Sequence, residues 1–295
     1  MGVCAEKGVS GWYTAMIPAG AEMNKKMFVE KNLLQPRIIL DKLGRSLFST
    51  NLVFHRTLNS TNALATELGS TGSPEGTIVV TEEQVAGRGR RGRSWISPGS
   101  VNILLSILLR PDLDPDHVFV LTMTLGLAVI EAVKEVTHLE PWLKWPNDLY
   151  VRRRKLGGIL TEFSVKKGKI EYIVMGLGLN VNWRPGDGGL KGEFAAPPTS
   201  ILEETGMEIS RTDLLVAILK ILEGYYRQVT AGEIESFYER WNDLSLIMGK
   251  DVAIESGDDM IRGRAIRIDR SGALIIEDGE GRERRIISGD VSLRF

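Results

Sequence analysis

Apolar and polar positions follow no clean period over residues 1–35, then organise from about residue 46 onward. "LVFHR" (52–56) reads as a strand, and Ser60 or Thr61 can cap a helix that stops at Gly69. "GTIVVTEEQ" (76–84) is a second strand, and "VNILLSILLR" (101–110), apolar almost throughout, a buried third. "PDHVFVLTMTLGLAVIEAVKEV" (115–136) is helical in period but apolar on most sides, which predicts a central helix. "PWLKWPNDLYV" (141–151) reads as a loop beside a strand. "KLGGILTEFSV" (155–165) and "KIEYIVMGLGLNVN" (169–182) read as paired strands joined by the "KKGK" turn. Residues 185–201 read as a loop; one helix opens at Thr212 and Asp213 and runs to about Gln228, and another covers 232–244. After Met248 short strands alternate with Gly-containing turns, the texture of a small SH3-like or otherwise barrel-like β module. Strands neighbour strands more often than they alternate with helices, so the expected class is α+β. The expected organisation is an extension over 1–45, ordered only in part, a catalytic domain over 46–247 and a β domain over 248–295. Met23 and Met27 stand as alternative starts.

Composition narrows the chemistry. The 295 residues hold 37 Lys+Arg against 38 Asp+Glu, a net charge of −1, so binding nucleic acid through bulk charge is not expected. Cys4 is the single cysteine, which removes disulfides, cysteine metal sites and thioester relays within the chain and suits a reducing, cytoplasmic compartment. His55, His117 and His138 are scattered, and no metal site is read from them. No run nears 18 consecutive apolar residues, and the N-terminus lacks the pattern of a signal peptide, so no membrane span is expected.

Positive charge is local instead, in "GRGRRGRSW" (87–95) and "RRRK" (152–155). Gly87, Gly89 and Gly92 satisfy G-x-G-x-x-G, but a strand follows where a dinucleotide fold needs a helix. A P-loop lysine is missing, and so are kinase HRD and DFG segments. Three readings stay open: a solvated basic loop, an RGG-type arm on single-stranded RNA, or an anion nest with arginine forks and Trp95 as a flat face for a base. The loop lies between two apolar strands, unlike an arm in a tail. "KWPND" adds Lys144, Asn147 and Asp148 at a proline turn; Lys155 precedes two glycines; "GLGLNVN" puts Gly176, Gly178 and Asn180 at a strand end. Each has a bland reading as a surface turn, a surface lysine or a weakened strand. Together they crowd into one domain.

"STN" (60–62), "EEQVAGRGRRGRSWISP" (82–98), "KWPNDLY" (144–150), "RKLGGIL" (154–160), "GLGLNVN" (176–182) and "DVSLRF" (290–295) occur in this order. In order and spacing the chain, over about residues 46–295, resembles biotin–protein ligases. The resemblance implies a catalytic domain like that of class II aminoacyl-tRNA synthetases, the biotin–lipoate ligase type, with a small SH3-like β-barrel domain. It implies ATP with Mg²⁺ as co-substrate, biotin as substrate, and a biotinyl-5′-AMP intermediate. The acceptor is a lysine of the biotin carboxyl carrier domain of acetyl-CoA carboxylase or a related enzyme.

On the matching positions, Ser60, Thr61, Asn62 and Gln84 would hold the ureido ring, with Arg88, Gly89, Arg90 and Lys155 completing the biotin site. Lys155, Arg88 and Arg90 would act on the reacting carboxylate and phosphate; Arg93, Trp95, Asn147, Asn180 and Arg294 would surround the nucleotide. Asp148 is a candidate to orient the acceptor lysine. The first 45 residues do not read as a helix-turn-helix, so no DNA partner is expected, while the family leaves room for a homodimer. A lipoate or octanoyl transferase and an RNA-binding module are the rivals.

Overall fold

The computed structural model describes residues 33–184, 196–256 and 259–293. A first helix, α1 (Pro36–Leu43), precedes strand β1 (Asn51–Leu58), helix α2 (Thr61–Ser70) and strand β2 (Thr77–Gln84). β1 and β2 are parallel, as the helix between them requires. The Gly/Arg loop leads to β3 (Ile103–Leu109), and then to α3 (Phe119–Thr137). Two short strands, β4 (Trp142–Lys144) and β5 (Asp148–Val151), pair as a hairpin across the KWPND turn, where the sequence pattern indicated a loop. β6 (Arg154–Lys166) and β7 (Lys169–Leu179) form the expected long pair. The sheet order is β1-β2-β3-β7-β6-β5-β4, antiparallel in every pairing after the first.

Helices cover both faces of this sheet. β3 alternates Ile103, Leu105, Ile107 and Leu109 into the main core, and Leu108 into a smaller cluster with Ala65 of α2, Val79, Tyr172 and Val174. Ser106 shares the α2 side with Leu108, because strand side chains alternate. That single parity decides the floor of the site. On the main-core face lie α3, α5 (Arg211–Thr230) and α6 (Glu235–Asp243); a one-turn α4 (Ile201–Thr205) begins where the expected 185–201 loop ends, in residues to which the sequence pattern assigns no element. The segment from Pro115 to Thr137 is long and apolar enough to cross a membrane, with mean hydropathy 1.6 over its most apolar 18 residues, but 78% of that stretch is buried inside the fold as the central helix. Each large aliphatic side chain so buried contributes about 1.5–3 kcal/mol.

Leu34, Ile39 and Leu43 belong to the main core, so packing begins before residue 46. The Leu34 N–H donates to Glu82 Oε1 at 2.6 Å, and Glu82 Oε2 pairs with Arg211 at 2.8 Å, both side chains almost wholly buried. Beyond residue 248, β8 (Asp251–Ser256), β9 (Asp259–Ile268), β10 (Leu274–Glu277), β11 (Glu283–Ile286) and β12 (Asp290–Leu293) form a second, antiparallel sheet ordered β11-β10-β9-β8-β12. Trp145, buried in the KWPND turn, donates its indole N–H to the Gly272 carbonyl in the turn between β9 and β10 at 2.8 Å. The arrangement is α+β with a small C-terminal β unit.

Candidate active site

A cavity of about 740 Å³ runs across the sheet from the start of α2 to the KWPND turn. Its neutral end is built on the α2 N-terminus. Ser60 is the N-cap, its Oγ accepting the Ala63 N–H. Thr61 donates its backbone N–H to Gln84 Oε1 at 2.7 Å, which fixes the Gln84 amide. Asn62 Nδ2 donates to Leu160 O at 3.1 Å and to Glu162 Oε2 at 2.8 Å. Beneath them, Ser106 Oγ lies 2.8 Å from Thr61 Oγ1 and 2.6 Å from Asn62 Oδ1. A Cβ on Gly176 would stand 1.9 Å from Asn62 Oδ1, so only glycine leaves room for that amide.

The charged end is carried by the Gly/Arg loop and β6. The loop is a narrow hairpin: Trp95 N–H donates to Gly87 O at 2.9 Å, and Gly89 N–H to Arg93 O at 2.7 Å. Its tip turns through left-handed backbone at Arg91 (φ 55°) and Gly92 (φ 72°). A Cβ on Gly178 would lie 2.4 Å from the Trp95 ring, so the floor glycine lets the indole sit directly on the sheet. The Trp95 indole N–H is buried without a partner, and Lys155 Nζ lies 5.7 Å from the ring centroid. Lys155 pairs with Asp148 Oδ1 at 2.7 Å. Its backbone is clamped on the other side, its N–H donating to Pro197 O at 2.8 Å and its carbonyl accepting from Thr199 N–H at 2.9 Å.

Burial holds the Lys144 ammonium below the usual lysine range, with Asp148 opposing and Lys155 and Arg93 adding to the shift. Burial likewise lowers Arg90, against the pull of Asp148. Burial, then Asp148, pushes the Tyr150 phenol up. The cavity therefore gathers more positive charge than it neutralises, the electrostatic condition of a site for anions.

Of the residues singled out in the sequence, Ser60, Thr61, Asn62, Gln84, Arg88, Gly89, Arg90, Arg93, Trp95, Asn147, Lys155 and Asn180 all line this one cavity. Three of those expected at the nucleotide are tied to other protein groups. Arg93 turns to Asp290 of β12, which also meets Arg91 at 3.4 Å. Asn147 accepts from Arg90 at 3.4 Å and donates to the Ile159 carbonyl. Asn180 donates to Thr199 O at 2.9 Å. Arg294, with Cys4, Met23 and Met27, lies outside the described residues. Lys144, named in the KWPND turn, lines the same cavity, and Ser106, Glu162 and Asp290 complete the site without having been chosen. Ser106 carries a readable signal, a lone hydroxyl in an apolar strand that must find a partner. Asp290 opens the DVSLRF motif, but nothing in the sequence points it at Arg93, 197 residues away.

Models of two families match the chain: the biotin/lipoate A/B protein ligase family over residues 53–180, and the biotin protein ligase C terminal domain over 247–294. The bifunctional ligase/repressor BirA of Bacillus subtilis is 32% identical over 251 residues, 85% of this chain and 76% of that one. A biotin–[acetyl-CoA-carboxylase] ligase of Paracoccus denitrificans is 31% identical over 76% of this chain and 93% of its own. Among solved structures, the biotin protein ligase from Aquifex aeolicus in complex with biotin and ATP superposes with a TM-score of 0.68 at 30% identity, covering 83% of this chain and 99% of that one. With this identity over most of both chains, and the same fold, the chain belongs to the biotin–protein ligase family.

Proposed function

We propose that the chain joins biotin to a lysine of a carboxyl carrier domain in two steps within this one cavity. The observation that carries the reading is the pairing of a neutral polar end with a cationic end, bridged by Lys155. The neutral end suits the ureido ring of biotin, held by Ser60, Thr61, Asn62 and Gln84. The valeryl carboxylate then extends toward Lys155, Arg88 and Arg90, where ATP presents its α-phosphate.

In the first step a carboxylate oxygen bonds to the α-phosphorus and the bond to pyrophosphate breaks, giving biotinyl-AMP. Both reactants are anions, so alignment and charge neutralisation supply the catalysis, with no enzyme nucleophile. In the second step the neutral amine of the acceptor lysine bonds to the acyl carbon, the bond to AMP breaks, and the amine's surplus proton passes to solvent as the amide forms. Asp148 is held by Lys155 at 2.7 Å, which supports a role in placing Lys155 ahead of one toward the acceptor amine. Trp95, Arg93, Asn147 and Asn180 form the nucleotide wall, and Mg²⁺ belongs to this reading as part of the ATP co-substrate. The loop closing over the adenylate would shield the mixed anhydride from water.

The reaction is assigned to the cytoplasm, in keeping with the single cysteine. A homodimer is compatible with it, and neither DNA nor a membrane takes part. The test is direct: incubate the protein with ATP, Mg²⁺, an apo carrier domain, and biotin or lipoate in parallel, then weigh the carrier. A biotinyl mass increment is the expected result. A lipoyl increment alone, or no increment with either, overturns the reading.

A further inference from the structure

Ser106 sits under the neutral end of the cavity, wholly buried, in a strand that is otherwise apolar. A serine hydroxyl has one proton and two partners here, Asn62 Oδ1 at 2.6 Å and Thr61 Oγ1 at 2.8 Å. Asn62 is oriented independently: its Nδ2 donates to a backbone carbonyl and to the Glu162 carboxylate, neither of which can donate back. Oδ1 is therefore the acceptor, and the Ser106 proton goes to it. The Thr61 proton then has two protein oxygens within reach, Ser106 Oγ at 2.8 Å and Gln84 Oε1 at 3.2 Å. Either choice keeps it inside the network, and Thr61 meets a bound ring as an acceptor. Gln84 already takes the Thr61 N–H on its oxygen, so its Nε2 is the donor left for a ligand.

We propose that Ser106 is a positioning residue which sets the hydrogen-bond polarity of the ring pocket, so that Thr61 accepts an N–H from the ligand and a ring without that N–H is rejected. This rests on the biotin reading above and adds a residue that makes no contact with the cavity itself. Its physical basis is the asymmetry of buried hydrogen bonds: a site built to accept from an N–H discriminates strongly against a ligand that lacks it, because the acceptor is then left unpaired. Without the Ser106 hydroxyl, Thr61 keeps only the 3.2 Å contact to Gln84, and its proton is free to turn toward the ligand.

The experiment compares biotin with the two isomers methylated on one ureido nitrogen, in the wild-type protein and in Ser106→Ala. For the wild type, at least one isomer should lose about 100-fold in kcat/KM against biotin, the scale of one buried acceptor left unpaired. For Ser106→Ala, KM for biotin should rise about tenfold, KM for ATP and kcat should stay within about twofold, and the preference for biotin over the methylated isomer should narrow about tenfold. Both isomers used within threefold of biotin by the wild type would overturn the proposal even if the variant cannot be purified. So would an unchanged KM for biotin in the variant, or a rise in KM for ATP of the same size, which is the signature of general damage. If the wild type does not turn over biotin at all, the ligase reading falls and this one with it; if it does, these outcomes judge Ser106 alone.

Discussion

The two ends of the cavity are made of opposite materials. Thr61, Asn62 and Ser106 are at most 4% exposed, neutral, and tied to one another and to the sheet. Arg88 and Arg93 leave 49% of their side chains in water, and Lys155 leaves 29%. A neutral pocket can be completed in advance, because each polar group finds a protein partner while the ligand is away. Cations cannot be stored in the same manner. Buried without a counter-ion they would each cost several kcal/mol. The fold therefore keeps them at the surface, on glycine-rich backbone or paired with Asp148, Glu162 and Asp290. In the proposed function, shape and hydrogen bonds would select at one end, and charge would act at the other.

If the ends divide the labour in this way, damage to each should register in a different constant. Lys155→Ala removes the cation that stands between the two ends of the cavity. It should lower adenylate formation roughly 10²–10³-fold, the scale of losing one preorganised charge donor. ATP–pyrophosphate exchange within threefold of wild type would remove Lys155 from the chemistry. Gly176→Ala attacks the opposite end. Its methyl would stand 1.9 Å from Asn62 Oδ1 and push that amide off Ser106. KM for biotin should rise by about tenfold or more, as for a buried hydrogen-bond network broken at one member, with KM for ATP unchanged. Equal rises in both would mean the ends are one structural unit.

The same contrast governs what could be read without coordinates. Most element positions followed from local patterns: Ser60 as an N-cap before α2, the apolar run of β3, the all-round apolar α3. The charged end was legible because arginines on glycines are rare in a folded strand-to-strand connection. Its side-chain directions were not. Arg93 turns to Asp290, and nothing in either residue's neighbourhood signals a partner nearly 200 positions away. The neutral end was legible only through family resemblance. The parity that puts Ser106 under Thr61 and Asn62 depends on the register of β3 in the sheet, a non-local property. The hairpin across KWPND was hidden because three- and four-residue strands are too short to show a period.

Arg90→Gly should sharpen the contrast further by separating loop closure from chemistry. Arg90 reaches Asn147 at 3.4 Å, a weak tie from the loop to the KWPND turn. Without it the loop should close less well, and adenylate should escape before transfer. Mass spectrometry of an unrelated lysine-rich protein in the same tube should then find biotin on it, while adenylate formation falls by only about tenfold. Label confined to the carrier domain would mean the loop does not act as a lid.

The smallest effect concerns pH. Burial lowers the pKa of the Lys144 ammonium, so its charge is lost at a lower pH than that of an exposed lysine. Bound phosphate favours the charged form. Rising pH through the free-enzyme pKa should therefore weaken ATP capture, and kcat/KM for ATP should fall along an alkaline limb set below the ordinary lysine range. Arginine keeps its charge throughout the accessible range. Lys144→Arg should move that limb to higher pH, with a few-fold change at most in the plateau, and should leave the pH profile of KM for biotin flat, since no neutral-end group titrates with it. Arg90 is also lowered by burial but stays charged, so it cannot supply the limb. A limb unmoved in Lys144→Arg would assign the titration to another group, and a limb in the biotin constant would show that charge reaches across the cavity to the neutral end.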